Sequence, residues 1–267
     1  MKIKEAFPYQ LCPVIVMQLD TKNLIKKEID IISEYNLIVS LNEEVYICLT
    51  SCGLYSREFV IGYLISEGFI KKPGDISSID INVEDGQINC SVVLDTSYLK
   101  KIVCSNLYYS GSMREITEAG HKNYTHITHT PNISLSALYK AFDQFLCQSN
   151  LHKMTRGVHS AALLTEQMEP LFFSDEIGRH NAIDQIIGMT YMQKISFEDK
   201  VLFFTGRLPS KIIKKIIGQK IPLVVSRGMP TSLGILLADQ YKVTIISRLF
   251  KRSVTLFTCY NNNNITW

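Results

Sequence analysis

The sequence predicts an α/β protein in which a domain built on a mainly parallel sheet follows a smaller, β-rich amino-terminal domain. Two observations lead there. Past Pro131, short apolar runs alternate with helical patterns, the order that helical crossovers and a largely parallel sheet require. Before it, strand patterns separated by tight-turn residues predominate. The division is expected at residues 1–130 and 131–267.

In the first part, residues 37–41 and 45–50 flank Asn42-Glu43-Glu44 as a hairpin. Residues 79–83 and 87–94 flank Glu84-Asp85-Gly86, and Asp-Gly is a strong tight-turn signal. Between these pairs, residues 56–67 read as a short amphipathic helix. Ser56 is its expected N-cap, Phe59, Val60, Tyr63 and Leu64 share a face, and Gly68 stands just past its end. Residues 107–132 lose apolar periodicity and gather Ser, Gly, Asn, Thr and His, which predicts a long loop. Its histidines, His121, His126 and His129, have spacings that match no metal-site pattern.

The second part opens with a helix over 135–146 that turns Leu138, Phe142 and Phe145 inward. Strands are expected at 158–164, 171–173, 201–205, 222–225, 243–246 and 254–257. Helices are expected at 181–194, 210–218 and 231–241. The last strand follows its predecessor through a short connection, 248–253, so it is expected to pair antiparallel at one edge.

Composition narrows the function classes. A chain of 267 residues, 46% hydrophobic and 20% charged, can bury one large core or two modest ones. The net charge of +3 is small and evenly spread, so nucleic acid is not an expected partner. Residues 211–220 are rich in lysine but interleave Ile212, Ile213, Ile216 and Ile217, the pattern of an amphipathic helix with a solvated face. No run approaches the roughly eighteen apolar residues of a membrane span. Glu5, Pro8, Gln10 and Pro13 interrupt any signal-peptide core after Lys2 and Lys4. A cytoplasmic protein without a membrane partner is the expectation. Seven cysteines, Cys12, Cys48, Cys52, Cys90, Cys104, Cys147 and Cys259, are scattered and include no Cys-x-x-Cys pair. They read as free thiols, and no metal site is expected.

The most informative segment is 174–184, Ser-Asp-Glu-Ile-Gly-Arg-His-Asn-Ala-Ile-Asp. It places acid, glycine, arginine, histidine and asparagine between an apolar strand and a helix, where open α/β folds hold ligand loops. If the strands are parallel, three more loops join it at one sheet edge. These are Gly206-Arg207, Ser226 through Ser232 with Arg227 and Thr231, and Ser247-Arg248. Each supplies an arginine, whose planar fork suits phosphate, and glycines let backbone amides approach closely. Gly178, Arg179, His180, Asn181, Gly206, Arg207, Ser226, Arg227, Thr231, Ser232 and Arg248 are therefore candidate ligand residues for a polyanionic, nucleotide-bearing molecule. The competing possibility is that the arginines pair with Asp175, Glu176, Asp184 and Asp239. His180 is the favoured proton carrier over His159, which begins a strand. A nucleotide-dependent hydrolase using Asp175, Glu176 and His180 is an alternative of another class, although no P-loop is present.

The segment Asp175-Glu176-Ile177-Gly178-Arg179-His180-Asn181-Ala182-Ile183-Asp184 resembles the signature of the FdhD family, the formate dehydrogenase accessory sulfurtransferases. The resemblance extends to Thr155-Arg156-Gly157-Val158-His159, to Thr205-Gly206-Arg207, to the 226–232 loop and to the helix that starts at Ser56-Arg57-Glu58. It implies a cytidine-deaminase-like three-layer α/β/α fold, dimeric and without that fold's zinc. It implies receipt of sulfur as a persulfide from a cysteine desulfurase, and its transfer to molybdenum bis-molybdopterin guanine dinucleotide for formate dehydrogenase. GDP-like nucleotides would mimic the ends of that cofactor. By resemblance, Arg248, Leu249, Phe250, Lys251, Arg252 and Ser253 take part in binding it.

One departure from the family bears on catalysis. Sulfur-transferring members carry a Cys-x-x-Cys pair in the loop before the central helix. Here the corresponding region has Cys104 as its only cysteine, and Ser110-Gly111-Ser112 stands where the pair is expected. Persulfide chemistry needs a thiolate, so Cys104 is the candidate acceptor, with Lys100, Lys101 and Arg114 able to lower its pKa. The alternative is a carrier or chaperone of the cofactor that transfers no sulfur.

Overall fold

The computed structural model describes residues 11–20, 23–84, 86–95, 108–109, 124–129, 131–250, 253–260 and 265–266. It begins with a hairpin that no sequence pattern announced. Strands β1 (Leu11–Asp20) and β2 (Asn23–Ile32) pair antiparallel from Leu11↔Ile32 to Asp20↔Asn23 and form a sheet of their own. Directly opposed residues share a face, so Ile15 and Met17 lie on one side and Val14 and Ile29 on the other. Both faces are apolar, which removes the alternation by which a strand is recognised.

The two expected hairpins form. β3 (Tyr35–Leu41) and β4 (Glu44–Ser51) are antiparallel, joined through Asn42 and Glu43 at positive φ. β5 (Ile76–Glu84) and β6 (Gln87–Leu94) are antiparallel, with Gly86 at φ 74 in the turn. With β7 (Tyr108–Tyr109) they make a five-stranded sheet in the order β5-β6-β3-β4-β7. Helix α1 (Ser56–Glu67) ends at left-handed Gly68, as expected. Its N-cap is Tyr55 rather than Ser56, whose hydroxyl donates to the Gly53 carbonyl at 2.9 Å.

The second part comprises β8 (Ile133–Ser134), α2 (Leu135–Gln148), α3 (Asn150–Thr155), β9 (His159–Leu164), β10 (Pro170–Glu176), α4 (Arg179–Met192), β11 (Val201–Phe204) and α5 (Ser210–Gly218). It continues with β12 (Leu223–Ser226), α6 (Ser232–Tyr241), β13 (Thr244–Phe250), β14 (Ser253–Thr258) and β15 (Ile265–Thr266), which pairs with β8. The six-stranded sheet has the order β10-β9-β11-β12-β13-β14.

This sheet is mixed, which corrects the expectation of a mainly parallel one. Only β11–β12 and β12–β13 are parallel, and these are the pairs bridged by α5 and α6. β9 is antiparallel to both its neighbours, because residues 165–169 between β9 and β10 make a tight turn too short for a crossover. β14 is antiparallel to β13 at the edge, as its short connection predicts. Since β9 alone is reversed among the first five strands, β10 still runs in the same direction as β11, β12 and β13. Their carboxyl ends share one edge, and β9 enters the sheet there with His159.

Side chains alternate between two cores. Val201, Phe203, Leu223 and Val225 meet Leu138, Phe142 and Phe145 of α2. Leu202, Phe204, Val224 and Ile245 face the other way, into a core shared with α4, α5, α1 and the five-stranded sheet. One apolar cluster thus spans both halves of the chain. Helices α1 and α4 cross through glycine: a Cβ on Gly62 would stand 1.8 Å from Asp184 O, and one on Gly188 would stand 1.9 Å from Glu58 O. Beside this crossing, the lysine-rich helix departs from its expected solvated face. Lys215 is buried, with Nζ 2.8 and 3.0 Å from the Asp184 carboxylate, 2.9 Å from Glu67 and 2.6 Å from Ser66 Oγ. Among the described residues, no helix is long and apolar enough to cross a membrane.

Candidate functional site

The strand-to-helix turn is tighter than the sequence suggested. Ser174, Asp175 and Glu176 belong to β10, so only Ile177 and Gly178 connect it to α4. Arg179, His180 and Asn181 therefore occupy the first turn of α4, beside its free N–H groups. Asn181 Nδ2 donates to the Thr50 carbonyl at 2.7 Å and ties this turn to β4.

Both carboxylates of the turn point inward. Glu176, fully buried, accepts from Ser51 Oγ at 2.9 Å, Cys52 N at 3.0 Å, Gln185 Nε2 at 2.9 Å and Ile177 N at 2.8 Å. Asp175 accepts from Ser149 Oγ at 2.7 Å and Ser160 Oγ at 2.6 Å. Burial raises the pKa of each, and these hydrogen bonds pull it back. Neither is placed to activate water for a hydrolase. Neither neutralises an arginine: among the described residues, Arg179, Arg207, Arg227 and Arg248 make no salt bridge. Asp184 is engaged by Lys215, and Asp239 accepts from the Tyr260 hydroxyl.

The arginine loops are clamped to one another. Ser226 Oγ donates to Gly206 O at 2.6 Å and accepts from Gly228 N at 3.1 Å, while Arg227 N donates to Phe204 O at 2.9 Å. Ser247 Oγ lies 2.9 Å from Ser226 O and 3.1 Å from Gly228 O. Ser226 and Ser247 are fully buried and hold backbone in place. Thr231 caps α6 by accepting from Gly234 N at 3.2 Å, and Ser232, next to it, is exposed. Ser226 and Ser247 are paired across the strands, so the exposed Arg227, just past β12, and the exposed Arg248, within β13, follow neighbouring positions. Arg248 is left-handed, φ 53, where the β13–β14 register shifts. Leu249 is half-buried, and β13 runs on to Phe250, which pairs with Ser253; the connection is thus shorter than the expected 248–253. Lys251, Arg252 and Cys104 lie outside the described residues.

Next to these loops is a crevice of about 460 Å³, lined by His152, Arg156, His159, Thr205, Arg227 and the backbone of Gly157 and Gly228. Among the described residues, no carboxylate lines it. Burial holds the His159 pKa down, and the charges of Arg179, His152 and Arg207 add to this. His180 is not in the crevice lining. Burial, helped by Lys215, Arg179 and Lys211, lowers its pKa to about 4, so it is neutral at pH 7. Among the described residues, His180 Nε2 and Arg179 Nε are buried without a hydrogen-bond partner.

Sequence reasoning had no role for His152 because it did not see α3. That helix is announced only by Ser149, whose hydroxyl accepts from His152 N at 2.8 Å as an N-cap. Left-handed Arg156, φ 56, closes it and reaches the crevice. Among the other cysteines, Cys48, Cys52 and Cys90 are buried, and burial pushes their thiols up, Cys90 to about 12. Cys12 and Cys147 are exposed.

The FdhD/NarQ family model matches residues 32–264. The chain belongs to the FdhD/NarQ family. It is 29% identical over 232 residues to the sulfur carrier protein FdhD of Listeria monocytogenes, covering 82% of this chain and 85% of that one. It is 27% identical over 248 residues to that of Wolinella succinogenes, covering 92% and 86%. With the Bacillus subtilis protein of the same name, identity is 30% over 245 residues, covering 87% and 90%. The fold of this FdhD-family chain is also that of a putative formate dehydrogenase accessory protein from Desulfotalea psychrophila. The two agree with a TM-score of 0.75 at 20% identity, over 97% of this chain and 100% of the other.

Proposed function

We propose that this FdhD-family chain is a sulfur carrier in formate dehydrogenase maturation. It binds molybdenum bis-molybdopterin guanine dinucleotide as cargo and delivers to it sulfur received from a cysteine desulfurase. The observation that carries the reading is the convergence of Arg179, Arg207, Arg227 and Arg248 on one sheet edge with no carboxylate partner among the described residues. Unpaired guanidinium groups beside a helix N-terminus favour a ligand with several phosphates, which a guanine dinucleotide supplies. The curated relatives named as sulfur carriers support the carrier role.

Cys104 is the acceptor in this reading. Its thiolate attacks the terminal sulfur of the desulfurase persulfide, the S–S bond there breaks, and the desulfurase cysteine leaves as thiolate. Cys48, Cys52 and Cys90 are disfavoured because burial keeps them protonated. A second reading rests on Ser110 and Ser112, which replace the family's cysteine pair: the protein would hold the cofactor without carrying sulfur. The protein acts in the cytoplasm as a homodimer, with the apolar β1–β2 arm as its interface. The cytidine-deaminase-like three-layer description is supported by α2 on one face of the six-stranded sheet and α4 and α5 on the other.

Intact-protein mass spectrometry after incubation with a cysteine desulfurase and cysteine tests the reading. The expected result is one added sulfur atom that is lost in Cys104→Ser. No added sulfur, with GDP binding intact, would favour the second reading; absence of both would sink the two together.

A further inference from the structure

Three elements of the crevice wall meet over Asp175. α3 supplies His152, β9 begins with His159, and Thr205 follows β11. Asp175 does not line the crevice, yet each of its carboxylate oxygens reaches a hydroxyl behind that wall. Oδ2 accepts from Ser149 Oγ at 2.7 Å and Oδ1 from Ser160 Oγ at 2.6 Å. We infer that Asp175 is a positioning residue, which sets His152 and His159 through the hydroxyls of Ser149 and Ser160. The inference rests on the functional reading above, which brings a guanine dinucleotide to this sheet edge, and adds the buried group that shapes the neighbouring wall.

Each arm of the bridge continues into backbone. Ser149 closes α2 and caps α3: besides donating to Asp175, its Oγ accepts from His152 N at 2.8 Å. The first turn of α3 therefore follows the carboxylate. Ser160 is joined to Thr205 twice, with Ser160 N donating to Thr205 Oγ1 at 2.8 Å and Thr205 N donating to Ser160 O at 3.0 Å. His159 precedes Ser160, so the second arm fixes its strand against the end of β11. A further tie joins α3 to the start of β9. His152 Nδ1 lies 3.2 Å from the Val158 carbonyl, which only accepts, so Nδ1 bears the proton and Nε2 is left for another partner.

Stability alone does not call for an acid at this place. Asp175, Ser149 and Ser160 are all buried, and a buried carboxylate carries a desolvation cost that an apolar side chain would not. What the carboxylate adds is two acceptors at a fixed angle, each holding a hydroxyl that holds backbone in turn. Groups that meet a ligand are kept within about 0.5 Å of the productive geometry by such hydrogen bonds from behind. Glu176, next along β10, points to the opposite face and accepts from Ser51, the Cys52 amide and Gln185. The two adjacent acids thus serve different walls.

Titration calorimetry with GDP on the full chain, set beside thermal melts, tests the inference. Asp175→Ala is expected to weaken GDP about tenfold, and Asp175→Asn, which keeps one acceptor oxygen, to bind within about threefold of the native chain. Phe142→Leu, a core change outside the crevice lining, should bind GDP as the native chain does whatever its loss in melting temperature. In NMR spectra of the imidazole nitrogens, His152 and His159 should shift in Asp175→Ala while His126 and His129 stay. Should Asp175→Ala fail to fold, Ser149→Ala and Ser160→Ala each remove one arm and should each give part of the loss. GDP affinity and histidine signals unchanged in a destabilised Asp175→Ala would make Asp175 a stabilising residue only, overturning the inference and leaving the functional reading in place. A loss of GDP binding in Phe142→Leu as large as that in Asp175→Ala would overturn it as well. A native chain that binds no GDP would end the functional reading and the inference together.

Discussion

Gly228 lies against Gly206 so closely that a Cβ at position 228 would stand 2.5 Å from the Gly206 carbonyl oxygen and 2.6 Å from the Arg207 nitrogen. Two loops that each present an arginine are thus in backbone contact, with Ser226 bridging them by donating to one and accepting from the other. The spacing of Arg207 and Arg227 is set by a glycine and a serine that need not touch the ligand.

Gly228→Ala is accordingly expected to destabilise the fold by about 1–3 kcal/mol, the range for overfilling a tight contact, and to weaken GDP binding. Gly74→Ala is the control, because a Cβ there would meet nothing closer than Lys72 Cε at 4.0 Å. Urea midpoints and GDP titrations that are the same for the two variants would disprove the clamp.

His180 predicts an acid-sensitive fold. Its folded pKa of about 4 lies below the ordinary 6.5. A depressed histidine contributes stability above pH 6.5 that is lost as pH falls towards 4, because the unfolded chain takes up the proton first. A difference of that size corresponds to about 3 kcal/mol. Asp175, Glu176 and Asp184, all raised, act in the opposite sense, so the useful quantity is the difference from His180→Gln. Urea unfolding at pH 7 and pH 4.5 should show a smaller stability loss in the variant; equal losses would contradict the assignment.

Much of this was legible in the sequence, for identifiable reasons. The helix at Ser210–Gly218 and the left-handed Gly68 follow from short-range chemistry, apolar spacing and a glycine C-cap. Phe142 and Phe145 are buried as their spacing implies. The shared edge of the arginine loops also emerged, although by a different route: β9 runs backwards, and strand direction is set by the length of the 165–169 turn rather than by apolar content. Lys215 was illegible because its partners, Asp184 and Glu67, come from α4 and α1. The β1–β2 arm was missed because both its faces are apolar. His152 was missed because a single N-cap serine separates α2 from α3.

The buried pair of Lys215 and Asp184 fastens α5 to α4, four residues after His180. Lys215→Met would leave Asp184 buried and without its cation, at an expected cost of about 3–5 kcal/mol. Adding Asp184→Asn should recover part of that loss, since the uncompensated charge goes with it. A double variant as unstable in guanidinium as the sum of the single ones would show that the two residues act independently.

The β1–β2 arm gives the last prediction. Ile15 is 59% exposed, Met17 58% and Leu24 62%, and by register they share one face. A two-stranded ribbon is marginally stable alone in water, and an apolar face of this kind marks an association surface. The opposite face carries Ile25, Ile29 and Ile31, also exposed. At its foot, Ile32 meets Gly157 on the crevice wall: a Cβ on Gly157 would lie 3.0 Å from Ile32 Cγ2. A second copy covering the arm would therefore border that crevice. Light scattering coupled to size exclusion should give about twice the 30.4 kDa chain mass for the native protein. Ile15→Lys with Met17→Lys should shift this to the single-chain mass, with little change in circular dichroism because the arm lies outside both cores. A dimer that withstands both substitutions would locate the interface elsewhere, and a native monomer would remove the homodimer from the functional reading.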